Sequence, residues 1–381
     1  MENFVQPSFQ MLLISLALFI IMLVIARPSH ALTNLSLCAQ RTSNWTFDVF
    51  FITYALYVIF AFNSSDFFSY WNKFLYAGQF GYYKFDSYEF VYNWFADFTG
   101  NYLVWRSVIW GMATFFLYLT ALKLNLKNTL LFLAMVLFGL GLNVYSRGIL
   151  GHAVLLYGVI LLVDNYTNIL IKILGLIFIL VSYYLHNSMF VNIIFVILAF
   201  YPLGKKSLLL SVVAFPFLIT VVTIIMNGIV AGTLDVSYGE SAGDLDRAEY
   251  YASKENREFT IYGLIPLIIS TISEYFVLFY IIKKVLYDRI FEGIRREKLY
   301  TYLFRLVYVT IYIASLFAFV ETSSWIYSRF KYMAFFPLPF LLAKIWSLER
   351  SSRFAKCVIS FQLFAIGVNW LATLFSWYKN F

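Results

Sequence analysis

Hydrophobic residues in this chain arrive in unbroken runs, not in alternation with polar ones. The first run, from Leu12-Leu13-Ile14 to Ile25, is apolar on every side. Runs of roughly 16 to 24 residues are long enough to cross a hydrocarbon core about 30 Å thick. In lipid every backbone N–H and C=O must be paired within the protein, which leaves helices or closed barrel strands. Barrel strands would alternate apolar and polar residues over about 10 positions. The pattern therefore predicts an all-α polytopic membrane protein. Its roughly 12 spans lie near 9–26, 47–62, 102–122, 129–146, 148–163, 168–185, 187–202, 207–230, 260–282, 300–320, 332–347 and 356–377. The pairs that meet at Arg147 and at His186 are joined almost without a loop, either as tight hairpins or as broken half-helices.

Composition agrees. Of 381 residues, 62% are hydrophobic and 13% charged, against about 25% charged in a soluble domain. Aromatic residues make up 21%, with 42 Phe and 30 Tyr. Tyr and Trp suit the membrane interface, and thirty tyrosines exceed what two interfacial belts need, so some are expected to line a wet cavity. The first run lacks a basic leader and is followed by Arg27, which reads as an uncleaved first helix. Cys38 and Cys357 form neither a metal pattern nor a disulfide framework.

The net charge of +8 is distributed by side. Connections after alternate spans carry Arg27 and Arg41, Lys123 and Lys127, Lys205 and Lys206, a cluster from Lys283 to Lys298, and Arg350, Arg353 and Lys356. The connection near residue 164 has only Asp164 and, just inside the next span, Lys172. The intervening connections differ. Residues 63–101 hold Asp66, Asp86, Glu89 and Asp97 against Lys73 and Lys84, and residues 231–259 hold seven carboxylates against three cations. An excess of Lys and Arg marks the cytoplasmic side, which predicts both termini outside the cytoplasm and no role for nucleic acid. Residues 63–101, rich in Tyr, Trp and Phe, are expected to form an external amphipathic segment. Residues 231–259 are expected to form an external hydrophilic loop within one membrane domain spanning 1–381.

Ionisable residues at span edges are the candidates for chemistry. Arg147 lies in Tyr-Ser-Arg-Gly, His186 in Leu-His-Asn-Ser, Glu321, Arg329 and Lys331 between two late spans, and Asp66 just after an early one. By the charge alternation all lie on the external side. A guanidinium there can grip phosphate oxygens bidentately, and a carboxylate or imidazole can deprotonate a hydroxyl. Each has a bland alternative. Arg147 and Arg329 can snorkel to head groups, His186 can serve as a helix terminus, and Asp66 after Asn63-Ser64-Ser65 can belong to an N-cap. His152, inside an apolar run, reads first as structural, and Lys172 as a snorkelling residue. The chain has no HExxH, Walker loop or GxSxG, and three scattered histidines do not suggest a zinc site.

Taken in order, these pieces resemble the EpsG family of bacterial polysaccharide polymerases, related in role to the Wzy O-antigen polymerases. The resemblance covers residues 60–335. Asp66-Phe-Phe-Ser-Tyr70 fits an Asp-x-x-x-Tyr motif, and Tyr88-Glu89-Phe90 with Tyr92 fits a Glu-containing aromatic stretch. Arg147 in Ser-Arg-Gly-Ile-Leu opens a mid-chain span, His186-Asn187-Ser188 fits His-x-Ser, and Arg329 with Tyr332 precedes a late span. Two positions depart from the pattern: Gly148 stands where the family often has Gln, and Phe90 where it often has Pro.

The resemblance implies a fold similar to membrane glycosyltransferases of the C type. It implies polymerisation of undecaprenyl-pyrophosphate-linked oligosaccharide repeats at the outer face of the bacterial inner membrane, with no cofactor and no metal. Asp66, Glu89 and His186 become the catalytic candidates, with Asp66 preferred as base. Arg147, Arg329, Tyr70, Tyr332 and Glu321 become contacts to pyrophosphate or glycan. The expected partners are the lipid-linked oligosaccharide and membrane lipid, with a chain-length regulator and a flippase as further candidates. The competing classes are another lipid-linked glycan enzyme (a glycosyltransferase, ligase or acyltransferase, the last needing a deep histidine such as His152) and a flippase or other transporter. A transporter would place its charges near the midplane and tends to show internal repeats, and none stands out here.

Overall fold

The computed structural model describes residues 8–26, 41–62, 70–72, 74, 90–138, 148–186, 189–230, 261–318, 324–349 and 353–378. Among them the fold is all-helical. The chain runs through α1 (Phe9–Ala26), α2 (Asn44–Ile59), α3 (Phe90–Thr99), α4 (Tyr102–Leu124), α5 (Thr129–Phe138), α6 (Ile149–Val163) and α7 (Ile169–Leu185). It continues through α8 (Met189–Leu198), α9 (Lys205–Val230), α10 (Ile261–Ile282), a π turn (Lys283–Tyr287), α11 (Glu297–Ala318), α12 (Ser324–Phe335), α13 (Leu338–Leu348) and α14 (Arg353–Tyr378). Among the described residues five helices, α1, α4, α9, α11 and α14, are long and apolar enough to cross a membrane, which is compatible with a membrane protein.

Local sequence explains the ends. Ser43, Asn101 and Asn168 cap α2, α4 and α7 by accepting bonds from backbone N–H groups in the first turn. Asn125 ends α4 in the left-handed conformation that Asn tolerates, with φ of 57°. The region expected as one span over 332–347 is instead two helices. α12 begins eight residues earlier, at Ser324, and α13 restarts at Leu338. Pro337 and Pro339 supply no N–H, so the helix stops and resumes across them.

The core is aromatic. Phe50 stacks on Phe132 with centroids 4.1 Å apart, joining α2 to α5, and Trp105, Trp110 and Trp346 are fully buried. α6 and α7 cross at a pair of glycines. A Cβ on Gly158 would lie 2.7 Å from the carbonyl oxygen of Gly175, and the reciprocal distance is also 2.7 Å. Only residues without side chains let two helices approach so closely. In α3, Tyr92 and Ala96 are buried while Trp94 and Phe98 are exposed and stacked on each other at 5.9 Å. Residues 231–259 lie outside the described set.

Contacts tie the basic connections to one end of the bundle. Arg41 pairs with Asn128, and Lys127 Nζ donates to Asn44 Oδ1 at 3.2 Å. The fully buried Asp164 takes Lys123 at 3.8 Å and Arg296 at 3.4 Å, and Arg296 also donates to the Lys123 carbonyl at 2.7 Å. Lys205 sits over the Tyr287 ring at 4.6 Å, and Lys284 binds Glu349 at 2.6 Å and Asp288 at 3.0 Å. Asp164, alone and acidic in its connection, is thus the buried anchor for cations from two others.

Candidate functional site

His152 is the centre of a buried hub. It sits one turn into α6, 3% exposed, and its Nδ1 lies 2.7 Å from the Gly148 carbonyl oxygen. The Asn192 amide nitrogen of α8 is 3.0 Å from Nε2. An amide nitrogen only donates, so Nε2 accepts and the ring proton resides on Nδ1, donated to Gly148. The imidazole lies flat against Phe336 at the α12–α13 turn, centroids 4.9 Å apart and planes 12° from parallel.

His186 is placed beside this hub. It ends α7 in an extended conformation (φ −161°, ψ 131°). Its N–H donates to the Ser182 carbonyl and its own carbonyl accepts from Met189, which starts α8. A Cβ added to Gly148 would meet His186 Cδ2 and two His152 ring atoms, each at 3.3 Å. Two imidazoles therefore occupy the space that a side chain at position 148 would need. α8 also meets α12 through Phe195 and Phe330, edge to face at 5.6 Å.

Of the residues expected at the site, Asp66, Glu89, Arg147 and Glu321 lie outside the described residues. Arg329 falls on α12, its side chain outside the described set, and Tyr332 on the same helix is half-buried against the core. Tyr70 is half-buried near the start of α4, next to Trp71 and Phe74, which pack on Tyr102 at 5.6 and 5.4 Å. Gly148, His186, Asn192 and Phe336 are therefore brought together around His152. The segment of Tyr70 packs on α4.

Reading by apolar runs passes over two groups that the structure makes prominent. Glu274, inside α10, is bound by Lys331 of α12 at 2.9 and 3.1 Å. Tyr327 donates to the same carboxylate at 3.2 Å, and Ser270 lies 3.4 Å away. These groups border a small cavity, with about 40 Å³ of room for a water-sized molecule, whose other walls come from α5, α11, α13 and α14. Phe335 lines this cavity, while its neighbour Phe336 stacks on His152, so one turn joins the two places. Arg106, fully buried in α4, donates to the carbonyls of Ile59 at 2.6 Å and Val58 at 3.1 Å and lies 4.2 Å over Trp110. It thereby satisfies carbonyls that the end of α2 leaves without helical partners. The signal for both was present: a lone ionisable residue within an apolar run is by default a site or a clamp.

No family model, curated protein or solved structure matches this chain.

Proposed function

We propose that the chain is a multi-pass enzyme of the bacterial inner membrane, with about 12 crossings, that polymerises lipid-pyrophosphate-linked oligosaccharide repeats at the outer face. The observation that carries this reading is the hub at His152. His186 and Gly148, the neighbour of Arg147, both lie against His152, and Phe336, four residues beyond Tyr332, stacks on it.

In this reading an acceptor sugar hydroxyl attacks the anomeric carbon of the growing glycan. Asp66 removes its proton, the anomeric C–O bond to pyrophosphate breaks, and Arg147 and Arg329 take up the charge on the leaving polyprenyl pyrophosphate. His186 orients the pyrophosphate, and Glu89, Glu321, Tyr70 and Tyr332 contact the substrates. The gathered basic connections support the sidedness of this reading, since an excess of Lys and Arg marks the cytoplasmic side and the Gly148–His186 end lies opposite.

The test is a gel profile of lipid-linked glycan from a deletion strain complemented with wild type or Arg147→Ala at equal membrane levels. The expected result is a ladder for wild type and single repeats at the outer face for the variant. A second reading, a lipid-linked oligosaccharide flippase, is favoured by the Glu274–Lys331 pair, because transporters place charged groups within apolar helices. Single units stranded on the cytoplasmic side of the deletion strain would select it.

A further inference from the structure

We infer that Arg305 binds the phosphate of one anionic phospholipid at the basic end of the bundle, on the face of α11 between α8 and α9. The inference rests on the chain's being a membrane protein and not on the reaction proposed above.

Helical spacing sets where Arg305 points. Both α8 and α9 pack on α11. Tyr302 of α11 donates to the Val196 carbonyl of α8 at 2.7 Å, and its ring meets Phe200 just beyond that helix at 4.8 Å. Tyr308 and Tyr312 instead reach α9, bonding to the hydroxyl and the carbonyl of Ser211. Arg305 is three residues from Tyr302 and three from Tyr308, so it shares their side of α11 and falls between the two helices they touch. Lys205 lies six residues before Ser211 and Arg305 three before Tyr308. At 1.5 Å per residue the arginine backbone is therefore about 5 Å deeper than the start of α9. Helical side chains lean toward the helix N-terminus, which brings the guanidinium back toward that level.

The charge on Arg305 has no counterpart. The side chain is half-buried and its Nε is shielded from solvent, yet it has no hydrogen bond or ion pair among the described residues. Arg296 and Lys284, by contrast, are held by Asp164 and Glu349. No Asp or Glu occurs between Met189 and Val230 or between Lys298 and Ala318. α8, α9 and all but the first residue of α11 thus offer no carboxylate, while Lys205 and Lys206 open α9 at the same end. A cation left unpaired in an apolar helix is costly, and a phosphate matches the guanidinium fork with two N–H bonds.

The surroundings select a lipid as the source of that phosphate. Ile197, Phe200, Leu210 and Phe217 are exposed on α8, its end and α9, a surface suited to acyl chains. Basic residues beside membrane spans attract anionic head groups. A zwitterionic head group would bring an ammonium of its own to a place that holds only cations.

The experiment is native mass spectrometry of the delipidated full-length protein, titrated with palmitoyl-oleoyl phosphatidylglycerol and with the matching phosphatidylethanolamine. The expected result is one phosphatidylglycerol retained per chain, preferred about tenfold, the worth of one charge-assisted hydrogen bond. Arg305→Gln should abolish the preference, whereas Arg353→Gln, at an exposed cation of the same end, should keep it. Because Arg305 gives up no protein partner, Arg305→Gln should melt no lower than wild type without lipid, and phosphatidylglycerol should raise the midpoint of wild type alone. If Arg305→Gln does not fold, Arg305→Lys, which loses the fork, should weaken the preference several-fold. Equal binding of the two lipids, an unchanged preference in a folded Arg305 variant, or displacement of phosphatidylglycerol by millimolar inorganic phosphate would overturn the inference.

Discussion

Gly148 and His186 lie so close that a Cβ on the glycine would stand 3.3 Å from His186 Cδ2. The same Cβ would press on His152, whose ring holds the Gly148 carbonyl at 2.7 Å. Gly148→Ala therefore requires the His152 or His186 ring to shift by a few tenths of an ångström, at an overpacking cost of about 1 kcal/mol. Under the proposed function, glycan ladders should shorten or vanish while the protein still reaches the membrane. A wild-type ladder would separate His186 from the reaction.

The Gly158–Gly175 crossing is tighter still, at 2.7 Å from Cβ to carbonyl oxygen. Neither neighbour can yield, because the atom met at 2.7 Å is a helix carbonyl oxygen in each case. Gly175→Leu should lower the thermal midpoint in detergent strongly, by the equivalent of about 3 kcal/mol or more. Gly111→Leu, at a position where a Cβ would meet nothing within 4 Å, is the control.

Asp164 is fully buried between Arg296 and Lys123. Asp164→Ala leaves the cations facing each other without a counter-ion and should cost about 3–5 kcal/mol. Adding Arg296→Ala should recover part of that loss, so a double-mutant cycle by thermal unfolding should show coupling. Strict additivity would mean the contact is not an energetic unit.

Lys284 gives a pH signature. Burial draws its pKa down, but the hydrogen bonds and charges of Glu349 and Asp288 outweigh this and raise it above the ordinary lysine value. A folded-state value above the unfolded one means the contribution is complete below about pH 10.4 and fades as pH rises through the folded value. The stability gap between wild type and Lys284→Met should be flat from about pH 7 to about pH 9 and narrow above about pH 10.4.

Cys357 is exposed on α14, four residues into the helix that follows the last basic connection. In a Cys38→Ser background, a membrane-impermeant maleimide applied to whole spheroplasts should label it only after permeabilisation. Labelling of intact spheroplasts would reverse the assignment of sides.

Helices were legible along the chain because helical hydrogen bonds close within four residues, and an apolar run in lipid has no other way to satisfy its backbone. The caps at Ser43, Asn101 and Asn168 and the break at Pro337 are local for the same reason. The split at Pro337 is nonetheless easy to overlook when only mean hydropathy is read. The grouping of basic connections was also legible as charge alternation, although Asp164 looked like an exception until Lys123 and Arg296 were seen around it.

Pairing across the bundle was not legible. Glu274 and Lys331 are 57 residues apart, and His152 and Asn192 are 40 apart. Nothing in either local sequence specifies its partner, because that choice is made by how helices pack. His152 looked like an isolated core histidine, and packing made it the residue that holds Gly148, Asn192 and Phe336 together. The sequence by itself determined the helices, their apolar surfaces and the residues able to do chemistry. Tertiary structure alone decided which of those residues meet, since local hydrogen bonding sets a helix and only long-range packing sets its neighbours.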